Sequence, residues 1–190
     1  PDRLAVFGYA HVPWVKPAQK ILEQKVLPAP EVKLQLLKSV IERLTENNRY
    51  VYIGMDHFAR PDDELAVAQS RKQLQRNFQG YSTQPDCDLI GLGVSAIGKI
   101  GAAYSQNAKT LEEYYAAIDA GHLPVQRGLA LSRDDLIRRA VIMSIMCQGA
   151  VLREAMEQAW LIDFGEYFEA ELAELAELQG KGLVRIGSEG

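Results

Sequence analysis

Short apolar runs alternate with amphipathic stretches along this chain. Residues 4–10 read Leu-Ala-Val-Phe-Gly-Tyr-Ala, the pattern of a strand covered on both faces, and Pro13 ends it because proline cannot donate to a ladder. A proline-punctuated loop follows, in which residues 18–25 have room for about two helical turns. Residues 31–48 then place Val32, Leu34, Leu36, Leu37, Val40, Ile41 and Leu44 at helical spacing with one buried stripe, and Asn47-Asn48 as the stop. Residues 50–55 (Tyr-Val-Tyr-Ile-Gly-Met) make a second strand, and strand–helix–strand at this spacing predicts a parallel βαβ unit. Pro61 with Asp62, Asp63 and Glu64 predicts a helix running to about Ser70, since proline suits a first turn and acids suit its dipole.

Residues 77–88 are rich in turn formers and predict a loop; residues 89–94 predict a third short strand, interrupted by Gly91 and Gly93. Residues 97–104 read as helical or irregular, and residues 111–120 as a helix closed by Gly121. Ser132-Arg133-Asp134-Asp135 has the form of a capping box opening a helix to about Cys147. Helices near 152–160 and 164–179 and a strand over 182–186 complete the pattern. The expectation is an α/β portion over residues 1–127 and a mainly helical, winged-helix-like portion over 128–190. Three parallel strands neither close a barrel nor make a good open sheet, so the chain reads as a piece of a longer protein.

Composition narrows the classes. Of 190 residues, 47% are hydrophobic and 24% charged, enough apolar surface to exclude disorder throughout. Twenty-one basic and 25 acidic residues give a net charge of −4, which argues against a broad nucleic-acid surface. No run reaches the roughly 18 to 20 apolar residues of a membrane span; the longest candidate, 136–159, is broken by Arg138, Arg139, Gln148, Arg153, Glu154 and Glu157. Cys87 and Cys147 are too few for a disulfide framework or a cysteine cluster of their own, and a reducing cytoplasm is the expected compartment.

Three segments carry candidate chemistry. Gly54-Met55-Asp56-His57-Phe58-Ala59-Arg60-Pro61 crowds polar groups at a strand exit, where α/β proteins build sites. His57 beside Asp56 reads as an acid–base group or as hydrogen-bonded scaffold, and a metal site with His11 lacks any fixed ligand spacing. Arg76-Asn77-Phe78-Gln79-Gly80-Tyr81-Ser82-Thr83 offers rings, amides and hydroxyls to a planar or polar ligand, or is a surface loop. Gly91-Leu92-Gly93-Val94-Ser95-Ala96 permits close backbone approach but lacks the context of a dinucleotide fingerprint, so tight packing explains it equally. Cys147 reads as buried filler, and Cys87, between Asp86 and Asp88, as a poor nucleophile.

PDRLAVFGYAHVP at 1–13, GMDHFARPDDELAVAQ at 54–69, RNFQGYST at 76–83, DLIGLGVSAIG at 88–98 and residues 132–139 together resemble the oxygen-independent coproporphyrinogen III oxidases of haem biosynthesis. A haem-binding or trafficking paralogue is the alternative; it typically carries a Tyr-Trp element where this chain has Phe78-Gln79-Gly80-Tyr81, which favours the oxidase. The resemblance implies a radical S-adenosylmethionine enzyme with an incomplete (β/α) barrel and a helical C-terminal domain. It also implies a [4Fe–4S] cluster held by a CxxxCxxC motif, and conversion of two propionates of coproporphyrinogen III to the vinyls of protoporphyrinogen IX. This chain has no CxxxCxxC, so by itself it is expected to bind no cluster or other metal and to be inactive, the missing N-terminal half of the barrel being its first partner. By the same resemblance Ala10 and Ile97 are cofactor-binding residues that contact S-adenosylmethionine, Phe78 and Gln79 are cofactor-binding residues near a second S-adenosylmethionine or the substrate end of the site, and Asp56, His57 and Arg60 have supporting or substrate-carboxylate roles. The parent is expected to be monomeric.

Overall fold

The computed structural model describes residues 1–22, 27–84 and 86–187, which form two compact units, residues 1–74 and residue 75 onward. The first comprises β1 (Arg3–Ala5), a 3-10 turn (Pro17–Ile21), α1 (Pro30–Thr45), β2 (Val51–Gly54), β3 (His57–Ala59) and α2 (Glu64–Ser70). Of the two helical turns expected over 18–25, the part at 23–25 lies outside the described residues.

The sheet order is β1-β3-β2, and both pairings are antiparallel, with Phe58 opposite Leu4 on one side and Tyr52 on the other. This corrects the parallel βαβ expectation. β1 and β2 do run the same way, but the chain reverses after β2 through a turn in which Met55 takes φ 52°, and β3 inserts between them. The two polar residues Asp56 and His57 disguise that continuation, although Phe58 and Ala59 behind them are buried. β1 stops at Ala5, short of the expected 4–10, and beyond it Phe7 and Tyr9 are exposed. α1 ends at Thr45, before the expected Asn47-Asn48 stop, and a 3-10 turn over Glu46–Asn48 carries Asn47 at φ 55°.

α2 starts at Glu64, not Pro61, because Asp63 caps it by accepting the Leu65 N–H. Arg3 on β1 reaches Asp63 at 2.8 Å and Glu64 at 2.7 Å, and Gln69 Nε2 donates to the Tyr52 and Ile53 carbonyls. Both ends of α2 are thus tied to the sheet.

The second unit opens with a hairpin, β4 (Gln75–Asn77) and β5 (Gly80–Ser82), where a loop was expected. A three-stranded antiparallel sheet follows: β6 (Ile97–Ile100), β7 (Ala103–Asn107) and β8 (Val125–Ala130), with α3 (Leu111–Asp119) joining the last two. Residues 97–104 are therefore hairpin and not helix; Gly101, at φ 53°, makes the reversal that a side-chained residue resists. Residues 89–94 do not form the third strand. Only Leu89 bridges to Lys99, and the glycines bend the rest away. The expected division between residues 127 and 128 falls within β8.

α4 (Arg133–Gln148), α5 (Arg153–Trp160), α6 (Phe164–Tyr167) and α7 (Glu169–Gly180) follow. The Ser132–Asp135 capping box is formed in both directions. The strand expected over 182–186 is absent among the described residues: the Gly182 and Leu183 N–H groups turn back to the Gln179 and Leu178 carbonyls and close α7 instead. Ile137, Met156, Phe164 and Phe168 form the core that gathers these helices.

One carboxylate joins the sheet to α4. Asp86 accepts from Lys99 on β6 and from Arg139 on α4. Burial pushes its carboxyl up, but hydrogen bonds and charge from Lys99 and Arg139 outweigh that and hold it below the ordinary 3.8.

Two expectations follow. Ile137→Ala, at a position with 0% exposure, should cost about 2–5 kcal/mol in urea unfolding, whereas Ile145→Ala on an exposed part of the same helix should cost about 0.5 kcal/mol or less. Asp86→Asn should lower stability near neutrality by on the order of 1 kcal/mol, because Lys99 is left enclosed without its carboxylate. The lowered folded-state value means that the contribution is complete above the ordinary 3.8 and disappears as pH falls through the lowered one. Unfolding curves of wild type and Asp86→Asn should therefore converge in acid.

Candidate functional site

In the first unit the β2–β3 turn brings Asp56 and His57 into contact, His57 Nδ1 lying 2.7 Å from Asp56 Oδ1 with both side chains about a third exposed (31% and 28%). Adjacent residues need not meet in this way; the turn at Met55 makes them do so. The Tyr52 hydroxyl donates to the Met55 carbonyl at 2.8 Å, and burial, then the Asp56 charge, pushes its phenol up. Arg60 turns its fork onto Asp62, Nε to Oδ1 at 3.1 Å and Nη2 to Oδ2 at 3.4 Å, which holds the Asp62 carboxyl low.

Ala10 is exposed in the loop between β1 and the 3-10 turn. Gln19 braces this loop from both ends of its amide, donating to the Ala10 carbonyl at 3.1 Å and accepting the Val12 N–H at 2.6 Å. His11 Nδ1 is enclosed without a hydrogen-bond partner.

The other expected cofactor residues lie in the second unit. Phe78 and Gln79 form the β4–β5 turn. Phe78 is 54% exposed and stands edge-on to Tyr104 of β7 at 5.2 Å; the Gln79 N–H donates to Asn77 Oδ1 and its side chain is exposed. Ile97 begins β6, half-buried, opposite Gln106. A Cβ on Gly91 would fall 2.8 Å from the Ile97 backbone, so Gly91 is what permits the 89–93 loop to lie against Ile97. Asn107, itself buried, holds that loop by donating to the Gly91 carbonyl at 3.0 Å and the Gly93 carbonyl at 2.9 Å. Sequence reasoning missed Asn107, whose role depends on the β6–β7 pairing that it also missed.

A cleft of about 960 Å³ opens within this unit, between the hairpin, the sheet and α4. Phe78, Tyr104, Leu129, Ile142 and Met143 give it an apolar lining, and Arg76, Lys99 and Arg139 supply cations; Gln79 and Ile97 are not among its lining residues. The volume is at the upper end of the range for ligand sites.

Cys87 is exposed and Cys147 buried, its thiol pushed up chiefly by burial. Among the described residues no group of three or more His, Cys, Asp or Glu is placed to hold a metal. Two cysteines of such different setting do not fit an iron–sulfur cluster. Among the described residues no helix is long and apolar enough to cross a membrane.

No family model matches the chain. Over 190 residues it is 50% identical to oxygen-independent coproporphyrinogen III oxidase of Escherichia coli (strain K12), an alignment covering 100% of this chain and 41% of that protein. The Synechocystis relative of the same name is 49% identical over 189 residues, 97% of this chain and 40% of its own. A solved structure of the Escherichia coli coproporphyrinogen III oxidase, described as a radical SAM enzyme, superposes with a TM-score of 0.93 at 50% identity, covering 100% of this chain and 44% of that one. The chain thus spans about two fifths of the length of these curated relatives. In sequence and in fold, this polypeptide is a relative of the oxygen-independent coproporphyrinogen III oxidases, matching one part of them along its whole length.

Proposed function

We propose that this chain is the C-terminal portion of an oxygen-independent coproporphyrinogen III oxidase, acting in the cytoplasm in the oxidative decarboxylation of two coproporphyrinogen III propionates to vinyl groups. The observation that carries the reading is a 50% identity that extends over the entire chain and coincides with a TM-score of 0.93. In this reading residues 1–127 supply the last strands of an incomplete (β/α) barrel, and residues 128–190 the start of the helical C-terminal domain. S-adenosylmethionine and a [4Fe–4S] cluster supply the radical chemistry, the cluster being held by cysteines that this chain does not contain.

The chain's own residues bind and orient. The exposed Phe78 face suits a planar or apolar ligand surface, and the Gln79 amide beside it offers both a donor and an acceptor. The Ala10 carbonyl, braced by Gln19, is a fixed acceptor in the loop beyond the first strand. At Ile97 the close-packed 89–93 loop sets the backbone against which an adenosyl group would rest. Asp56 fixes the ring of His57 through Nδ1.

The test is the full-length protein that contains this segment, purified without oxygen, reconstituted with iron and sulfide, and supplied with S-adenosylmethionine, a reductant and coproporphyrinogen III. Protoporphyrinogen IX should form with two CO₂ per substrate. Gln79→Ala should weaken S-adenosylmethionine binding about tenfold, as loss of roughly 1.4 kcal/mol of hydrogen bonding implies. Stoichiometric haem binding with no decarboxylation would replace this reading with the trafficking one.

A further inference from the structure

We propose that Arg76 is the anchor for a carboxylate of an amphipathic, carboxylate-bearing ligand in the second-unit cleft. The inference deepens the function proposed above and takes its substrate class, a propionate-bearing tetrapyrrole, from it. Three carboxylates line the cleft, and each is engaged: Asp86 by Lys99 and Arg139, Asp88 by the Gly101 N–H, and Asp135 within the α4 capping box. The lining cations are matched in the same way, Lys99 and Arg139 by Asp86 and Arg138 by Asp134 and Glu171. Arg76 is the exception. Among the described residues its guanidinium has no carboxylate partner, and Nη1 is enclosed with no hydrogen-bond acceptor.

Yet the group is held in place. Arg76 pairs across the hairpin with Tyr81, and its guanidinium lies over the Tyr81 ring, 4.7 Å from the centroid. The Tyr81 hydroxyl donates to the Met146 carbonyl at 2.9 Å, which fastens ring and cation to α4. A positioned guanidinium with an unmet donor is a carboxylate receptor awaiting its acceptor, since an enclosed charged donor is costly to leave unpaired. The surroundings define the rest of the ligand. Phe78, Leu129 and Ile142 line the cleft with more than half of each side chain exposed (54%, 58% and 57%). Such a lining suits a large apolar body that carries its acid at the edge. A tetrapyrrole with peripheral propionates has that chemistry, and about 960 Å³ is ample for much of its macrocycle.

The experiment uses the full-length protein, wild type and with Arg76→Gln or Arg76→Lys, each checked for unchanged circular dichroism and unfolding midpoint. Coproporphyrin III and its tetramethyl ester, which keeps the ring and removes the charge, are titrated by fluorescence quenching. Arg76→Gln should weaken coproporphyrin III binding at least tenfold and Arg76→Lys by less, while the ester binds all three weakly and alike. Equal binding of coproporphyrin III by wild type and Arg76→Gln, or ester binding as tight as that of the acid, overturns the assignment. Turnover separates the two readings. Decarboxylation with a KM indifferent to Arg76→Gln discards Arg76 and keeps the oxidase; no decarboxylation, with acid binding still governed by Arg76, discards the oxidase and keeps the carboxylate site.

Discussion

The second unit depends on one shared carboxylate. Asp86 takes hydrogen bonds from Lys99, whose side chain is enclosed in the β6–β7–β8 sheet, and from Arg139 on α4. Two cations facing one another repel, and a single bridging anion converts that repulsion into cohesion. Because the bridge joins the sheet to the helix that carries Ile142, Met143 and Met146, it sets the separation of two walls of the cleft. The Tyr81 hydroxyl, bonded to the carbonyl of Met146, fixes the third wall.

Much of the helical half was legible because its signals are local. The capping box at Ser132 and the α3 stop at Gly121 are decided by residues within a turn of each other, and the fold honours them. The strands were misread where pairing decides. His57 to Ala59 looked like the polar exit of a strand and became the middle strand of a sheet, because Phe58 had partners on both sides. Ile97 to Tyr104 carried no clean alternation, and its identity as a hairpin comes from a turn at Gly101 and from neighbours more than twenty residues away.

The candidate site was half legible for the same reason. The RNFQGYST segment announced rings and amides, and the structure puts Phe78 at an exposed turn on the cleft. Nothing in one dimension marked Asp86, Lys99 or Asn107, since each matters only through a partner brought to it by folding. Likewise Gly91 and Gly93 allowed either close backbone approach to a ligand or tight packing; the 2.8 Å approach at Gly91 favours packing there. Arg76 was visible only as one member of a motif, and it stands out once every other charge in the cleft has been assigned.

α1 has the apolar stripe that its sequence promised but no fully buried side chain, and Leu34 and Leu36 on it are 68% and 56% exposed. A sixteen-residue helix in that condition is greasy on the outside. Purified by itself at high concentration, this polypeptide will stick to itself, to hydrophobic resins and to chaperones, so dilute handling with mild detergent is the practical course.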